Sequence, residues 1–148
     1  MKKYCLTFKL KNYNGNIYII MPQRVIATEL TPKTLEEAQK RLGNNVMIVK
    51  FGATWCAPCK KIKSTCDNYF VHLPPNVMCA DIDVDDCIEL YATLKRRKMV
   101  KGVPTLLAFY GDVKRDQWYI PDDSVSGGDL TQVQQFFDRC AAKAKTLQ

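Results

Sequence analysis

Apolar and polar positions change period several times along the chain, and each change marks an element. Residues 4–10 alternate, with Tyr4, Leu6, Phe8 and Leu10 separated by Cys5, Thr7 and Lys9. Residues 17–21 are a β-branched and aromatic run, Ile-Tyr-Ile-Ile-Met. Between them, Asn14-Gly15 tolerates positive φ at both positions, so the pattern predicts a β-hairpin, which Pro22 ends. Residues 24–28 predict a short strand. Residues 35–42 have helical spacing, with Thr31 or Thr34 as a cap and Gly43 as a stop. Residues 46–52 are almost uniformly apolar, which suits a central strand covered on both faces.

A second helix fits residues 57–70, with Ile62, Cys66, Tyr69 and Phe70 on one face and Lys60, Lys61 and Lys63 elsewhere. Pro74-Pro75 breaks the chain, and residues 77–84 predict a strand. Asp85 or Asp86 is placed to cap a helix ending near residue 98, with Ile88, Tyr91, Ala92 and Leu94 apolar. Residues 105–110 predict a strand, Gly111-Asp112 a turn, and residues 113–120 a strand partner. Residues 121–128, rich in Asp, Ser and Gly, predict a loop. Residues 130–142 predict a final helix with Val133, Phe136, Phe137 and Cys140 inward. Strands alternating with helices, after a hairpin and with two strands before the last helix, predict an α/β fold with a mixed central sheet flanked by helices. The expected organisation is an N-terminal hairpin extension over residues 1–23 and one domain over 24–148.

Composition narrows the class. The chain has 148 residues, enough to bury a core without disulfide staples. No apolar run is long enough to span a bilayer, so no membrane association is expected. The basic opening interleaves lysines with apolar residues and lacks the uninterrupted stretch of a signal peptide. A reducing, cytoplasmic location is therefore expected. The seven cysteines, an odd number, then read mostly as free thiols. The net charge is +7, with basic residues before Glu29 and a cluster at Lys95-Arg96-Arg97-Lys98 and Lys101. No zinc finger, RNP motif or aromatic-and-basic stripe accompanies them, so nucleic acid is not an expected partner. A solvated face is the plain reading of the cluster, and steering of acidic targets is the functional one.

The candidate chemistry is in Trp55-Cys56-Ala57-Pro58-Cys59-Lys60. Two cysteines this close form a short disulfide ring. The thiolate is the nucleophile, and Cys56 falls between an apolar strand and a helix start. Orphan N–H groups and the positive helix end favour a negative charge there, lowering the thiol pKa from about 8.5 towards about 7, as in comparable Cys-X-X-Cys sites. Cys59, one turn in and more protected, suits resolving a mixed disulfide. Pro58 presets the first helical turn, and Trp55 supplies a flat apolar wall. A lone Cys-x-x-Cys also reads as half a zinc site, but no second pair exists and His72 is the only histidine, so no metal is expected. Val103-Pro104-Thr105 precedes a strand. A proline there is ordinarily trans, and a cis bond is plausible without being required.

Residues 46–60, Asp81 to Cys87 and Gly102-Val103-Pro104-Thr105 together resemble the thioredoxin family over roughly residues 24–142. The resemblance implies a thioredoxin fold and a protein-disulfide reductase. It implies that Cys56 attacks substrate disulfides, that Cys59 resolves, that Pro104 is a cis proline facing them, and that Val103 pairs with a substrate strand beside Trp55, Ala57 and Pro58. Protein disulfides are the implied substrates, and an NADPH-dependent reductase resembling thioredoxin reductase is the implied donor. The redox-active disulfide is the working group, with no bound cofactor.

The chain departs from the family pattern in four places. Ala57 replaces the usual glycine, which shifts the potential in a direction the sequence leaves open. Lys50 stands six residues before Cys56, where the family places a buried aspartate. It has two readings: a lysine that snorkels to the surface, or one that tunes the cysteines as a neutral base or as a cation favouring thiolate. Cys79 aligns with the family lysine that pairs with that aspartate, so the usual ion pair is expected to be absent. Ser64 replaces a helix-kinking proline. Cys87 reads as an inert helix thiol, and His72 as a loop residue. Alternatives to a reductase are a binding or assembly module on the same fold and a disulfide isomerase or oxidase. Monomer and hairpin-mediated homodimer both stay open.

Overall fold

The computed structural model describes residues 8–11, 15, 17–20 and 24–148. Strands β1 (Phe8–Lys11) and β2 (Ile17–Ile20) pair antiparallel, Phe8 opposite Ile20, as a two-stranded sheet of their own. Gly15 lies between them at φ +77°, the positive φ that a tight connection needs. The expected alternation over residues 4–7, Cys5, Asn14 and the Pro22 stop lie outside the described residues.

The remaining elements are β3 (Ile26–Ala27), α1 (Pro32–Lys40), β4 (Val46–Gly52), α2 (Ala57–His72), β5 (Val77–Asp83), α3 (Ile88–Arg96), β6 (Thr105–Tyr110), β7 (Asp123–Ser126) and α4 (Leu130–Thr146). The five-stranded sheet has the order β3-β5-β4-β6-β7. β3 and β5 run parallel to their neighbours, while β6 and β7 are antiparallel. β4 is central and buried at every residue, which is why its run lacks polar alternation. Val49 and Phe51 face a core with Leu35, Leu90 and Leu94 from α1 and α3. Val46 and Ile48 face the other, with Ile62, Phe70, Phe136 and Phe137 from α2 and α4. The sheet is thus covered on both sides, and its strand ends carry the site.

Four expectations need correction. α1 starts at Pro32, earlier than the apolar spacing, because Thr31 and Thr34 exchange backbone-to-hydroxyl hydrogen bonds of 3.1 and 2.8 Å in a reciprocal cap. α3 takes no cap from Asp85 or Asp86. It begins after Cys87, where the Asp83 carbonyl accepts the N–H groups of Asp86 and Cys87. Leu90 and Leu94 turn inward and Ile88 outward, 67% exposed. Residues 113–120 are not a strand. Arg115 ties that segment down, pairing with Asp122 and donating to the carbonyls of Tyr110 and Ile120, and the true partner of β6 is β7 inside the expected loop. His72 closes α2, its ring nitrogen 2.8 Å from the Asn68 carbonyl, and is not a loop residue.

Candidate active site

β4 delivers the chain to the top of the sheet, and α2 starts there. Cys56 is the N-cap of α2 in extended conformation, and its Sγ accepts the Cys59 N–H at 3.2 Å. Pro58 occupies the first turn, where no N–H is required. Cys56 and Cys59 are joined as a disulfide. The contrast in protection expected between them is absent: Cys56 is 4% and Cys59 6% exposed. Their surroundings differ instead. Cys56 Sγ lies 3.6 Å from the Val103 carbonyl oxygen, whereas Cys59 backs onto Gly52 at the end of β4.

The Val103–Pro104 bond is cis, and Pro104 is buried at the entry to β6. The Thr105 hydroxyl donates to the Gly102 carbonyl at 2.7 Å, and the Pro104 carbonyl accepts the Gly127 N–H at 2.9 Å. These bonds fix the Val103 carbonyl beside Cys56. Trp55, Ala57 and Pro58 form the exposed rim. Trp55 is 65% exposed, yet its ring N–H donates to Asp85 at 2.8 Å, so the indole is oriented. Gly128 approaches Pro58 so closely that an added Cβ would stand 3.0 Å from the proline Cβ.

Lys50 does not snorkel. It is 6% exposed, and its Nζ forms an ion pair with Asp81 at 2.8 Å. The strand register puts Lys50 opposite Asp81 and leaves Cys79 opposite Ile48. Lys50 and Cys79 do not pair, as expected, but an ion pair that was not expected takes the place, with lysine on the strand before the cysteines and the carboxylate on its neighbour. Asp81 and the Trp55 partner Asp85 are the residues that sequence reasoning missed. A signal for Asp81 was present: two apolar runs begin at Val46 and Val77, and each carries its charge four residues in.

Three of the other described thiols are poor nucleophiles. Burial pushes the Cys66 and Cys79 thiols up to about 11, with Lys50 beside Cys66 and Arg24 beside Cys79 opposing it in part. Burial raises Cys140 further. A thiol held protonated is a poor nucleophile, so burial sets Cys66, Cys79 and Cys140 apart from the pair at the start of α2. Among the described residues no cluster of His, Cys, Asp or Glu is arranged to hold a metal ion. No helix of the described residues is long and apolar enough to cross a membrane.

Comparison with known proteins agrees with this geometry. The thioredoxin family profile matches residues 27–133. Thioredoxin of Mus musculus is 39% identical over 77 residues, covering 49% of this chain and 65% of that protein. The chain thus spans just under two thirds of that curated relative's length. Thioredoxin 3 of Plasmodium falciparum is 33% identical over 107 residues, 69% of this chain and 52% of its own. Among solved structures, Fasciola hepatica thioredoxin superposes with a TM-score of 0.58 at 26% identity, covering 78% of this chain and 97% of its own. Spinach chloroplast thioredoxin f shares the fold, with a TM-score of 0.60 at 16% identity over 82% of this chain and 98% of its own. With the profile running from β3 into α4 across the cysteine pair and the cis proline, the chain belongs to the thioredoxin family.

Proposed function

We propose that this protein is a thiol–disulfide oxidoreductase that reduces protein disulfides through Cys56 and Cys59. The observation that carries the reading is the placement of Cys56 Sγ at the N-cap of α2, accepting the Cys59 N–H and facing the Val103 carbonyl. Unpaired N–H groups and the positive helix end favour thiolate there. In the reduced protein, the Cys56 thiolate attacks one sulfur of a substrate disulfide. The substrate S–S bond breaks, a Cys56–substrate disulfide forms, and the first substrate thiolate leaves and takes a proton from water. Cys59, having given its proton to solvent, attacks Cys56 Sγ. The mixed disulfide breaks, the second substrate thiolate leaves, and the Cys56–Cys59 bond closes. Two electrons have passed to the substrate, and a dithiol donor returns them. Family resemblance points to an NADPH-dependent reductase as that donor.

In this scheme Val103 pairs with an extended substrate strand, and Trp55, Ala57 and Pro58 supply the apolar rim. Residues 24–148 carry the chemistry and residues 1–23 are an extension. A reducing, cytoplasmic setting fits the buried free thiols Cys66, Cys79, Cys87 and Cys140. One observation favours a second reading, an isomerase or oxidase: a buried ammonium near Cys59 stabilises thiolate, hence the reduced form. The test is reduction of an insoluble disulfide-bonded protein by the full chain, by the chain from residue 24, and by Cys56→Ser. Turnover by the first two and its loss in the third are expected. No Cys56-dependent turnover ends the reading. The potential then sorts the direction: about −270 mV, the reference value for thioredoxin itself, fits a reductase, and about −180 to −120 mV the alternatives.

A further inference from the structure

A charged pair stands behind the second cysteine. Lys50 sits in the middle of β4, and alternation puts its side chain on the face that carries Val46 and Ile48, towards α2 and α4. Its Nζ lies 3.9 Å from the point where a Cβ on Gly52 would sit, and Cys59 Sγ lies 3.7 Å from the same point. Glycine at 52 therefore puts no side chain of its own against either the ammonium or the sulfur. Asp81, across the parallel register on β5, holds the ammonium at 2.8 Å and is itself 32% exposed in its side chain. The negative charge is thus the solvent-side member, and the buried member is the cation.

The other charged and titratable groups near the pair are few. From α2, Cys66 feels both Lys50 and Asp81 but is held protonated by burial, and Lys63 and Asp67 neutralise one another at 2.6 Å. β6 places Leu106 opposite Lys50. α4 contributes Val133, Phe136, Phe137 and the protonated Cys140 to this core.

We propose that Lys50, held in place by Asp81, is the positioning cation that turns Cys59 into a thiolate when it resolves the mixed disulfide. The inference rests on the redox reading of the Cys56–Cys59 pair and deepens it. A buried ammonium favours the thiolate through a low effective dielectric, and the carboxylate beyond it partly cancels that effect. The proton leaves Cys59 for solvent. Removing the cation and removing the anion must then shift Cys59 in opposite directions, which a merely structural pair does not do.

The experiment is the pH dependence of Cys59 alkylation in full-length Cys56→Ser, read on the Cys59 peptide by mass spectrometry. It is repeated with Lys50→Met and with Asp81→Asn added. Lys50→Met is expected to raise the Cys59 pKa by about one unit, a tenfold change in thiolate, and Asp81→Asn to lower it by a smaller amount. With Cys56 restored, Lys50→Met moves the equilibrium with glutathione towards the disulfide. If Lys50→Met does not fold, the downward shift in Asp81→Asn decides alone. Unshifted values, or shifts of the same sign, overturn the proposal. If the unmodified protein forms no reversible Cys56–Cys59 disulfide with glutathione, the underlying redox reading fails. If it does and Cys59 is unshifted, only the role of the charged pair fails.

Discussion

Cys56 and Cys87 are almost equally buried, at 4% and 7% exposed, and both stand at the N-cap of a helix. Cys56 Sγ accepts a backbone N–H from its own helix, whereas the Cys87 thiol donates to the Thr28 carbonyl at 3.7 Å and caps nothing. A sulfur that receives a backbone N–H donor is prepared for negative charge. The buried thiols have a cost that appears in alkali. A thiol ordinarily titrates at 9.0, and Cys66 and Cys79 are held up to about 11 in the fold. The folded state then binds more protons than the unfolded one between those values, so their contribution is intact below pH 9.0 and is lost as pH rises through about 11. Denaturant midpoints measured across that window are expected to fall, and to fall less steeply in Cys79→Ala. An unchanged slope in that variant contradicts the assignment. The pairing of Lys50 with Asp81 was hidden at this scale because it depends on which residue of β5 lies opposite, and a side chain's partner across a sheet is not written in its own neighbourhood.

At the scale of elements, legibility followed burial. β4 and β6 were read at their ends because each is a continuous apolar run between polar turns. β7 was missed because it buries only Val125, and its Asp and Ser residues carry the composition of a loop. The α3 start was misread because the Asp83 carbonyl turns the chain at Asp86 and Cys87 and makes Cys87, not an aspartate, the N-cap. The turn at Gly111 was read as a turn, but its reason is not a turn preference. A Cβ there would stand 2.0 Å from the Gly43 carbonyl oxygen and 2.8 Å from that of Asn45, which accepts the Gly111 N–H at 2.9 Å. The loop after α1 and the loop after β6 are packed backbone on backbone. Gly111→Ala is expected to destabilise by about 1–3 kcal/mol, the usual range for overpacking a close contact. Thermal or chemical denaturation measures it, and a loss within 0.5 kcal/mol, roughly the scatter of ordinary surface substitutions, contradicts that packing.

Across the whole molecule, the two cores on either side of the sheet leave the top edge to function. There the end of β4, the start of α2 and the turn into β6 converge from separate stretches of sequence. The order of elements and the Cys56–Cys59 pair were legible along the chain, because each is a local pattern. The approach of the Val103 carbonyl to Cys56 was not, because it is made by the sheet's strand order. Under the proposed function, these converging groups make Cys56 the attacking sulfur and Cys59 the resolving one. The most direct test of that assignment is trapping with a disulfide-bonded peptide. Cys59→Ser is expected to accumulate a mixed disulfide on Cys56, and Cys56→Ser none. An adduct carried by Cys59 or another cysteine, or no adduct in Cys59→Ser, contradicts the account.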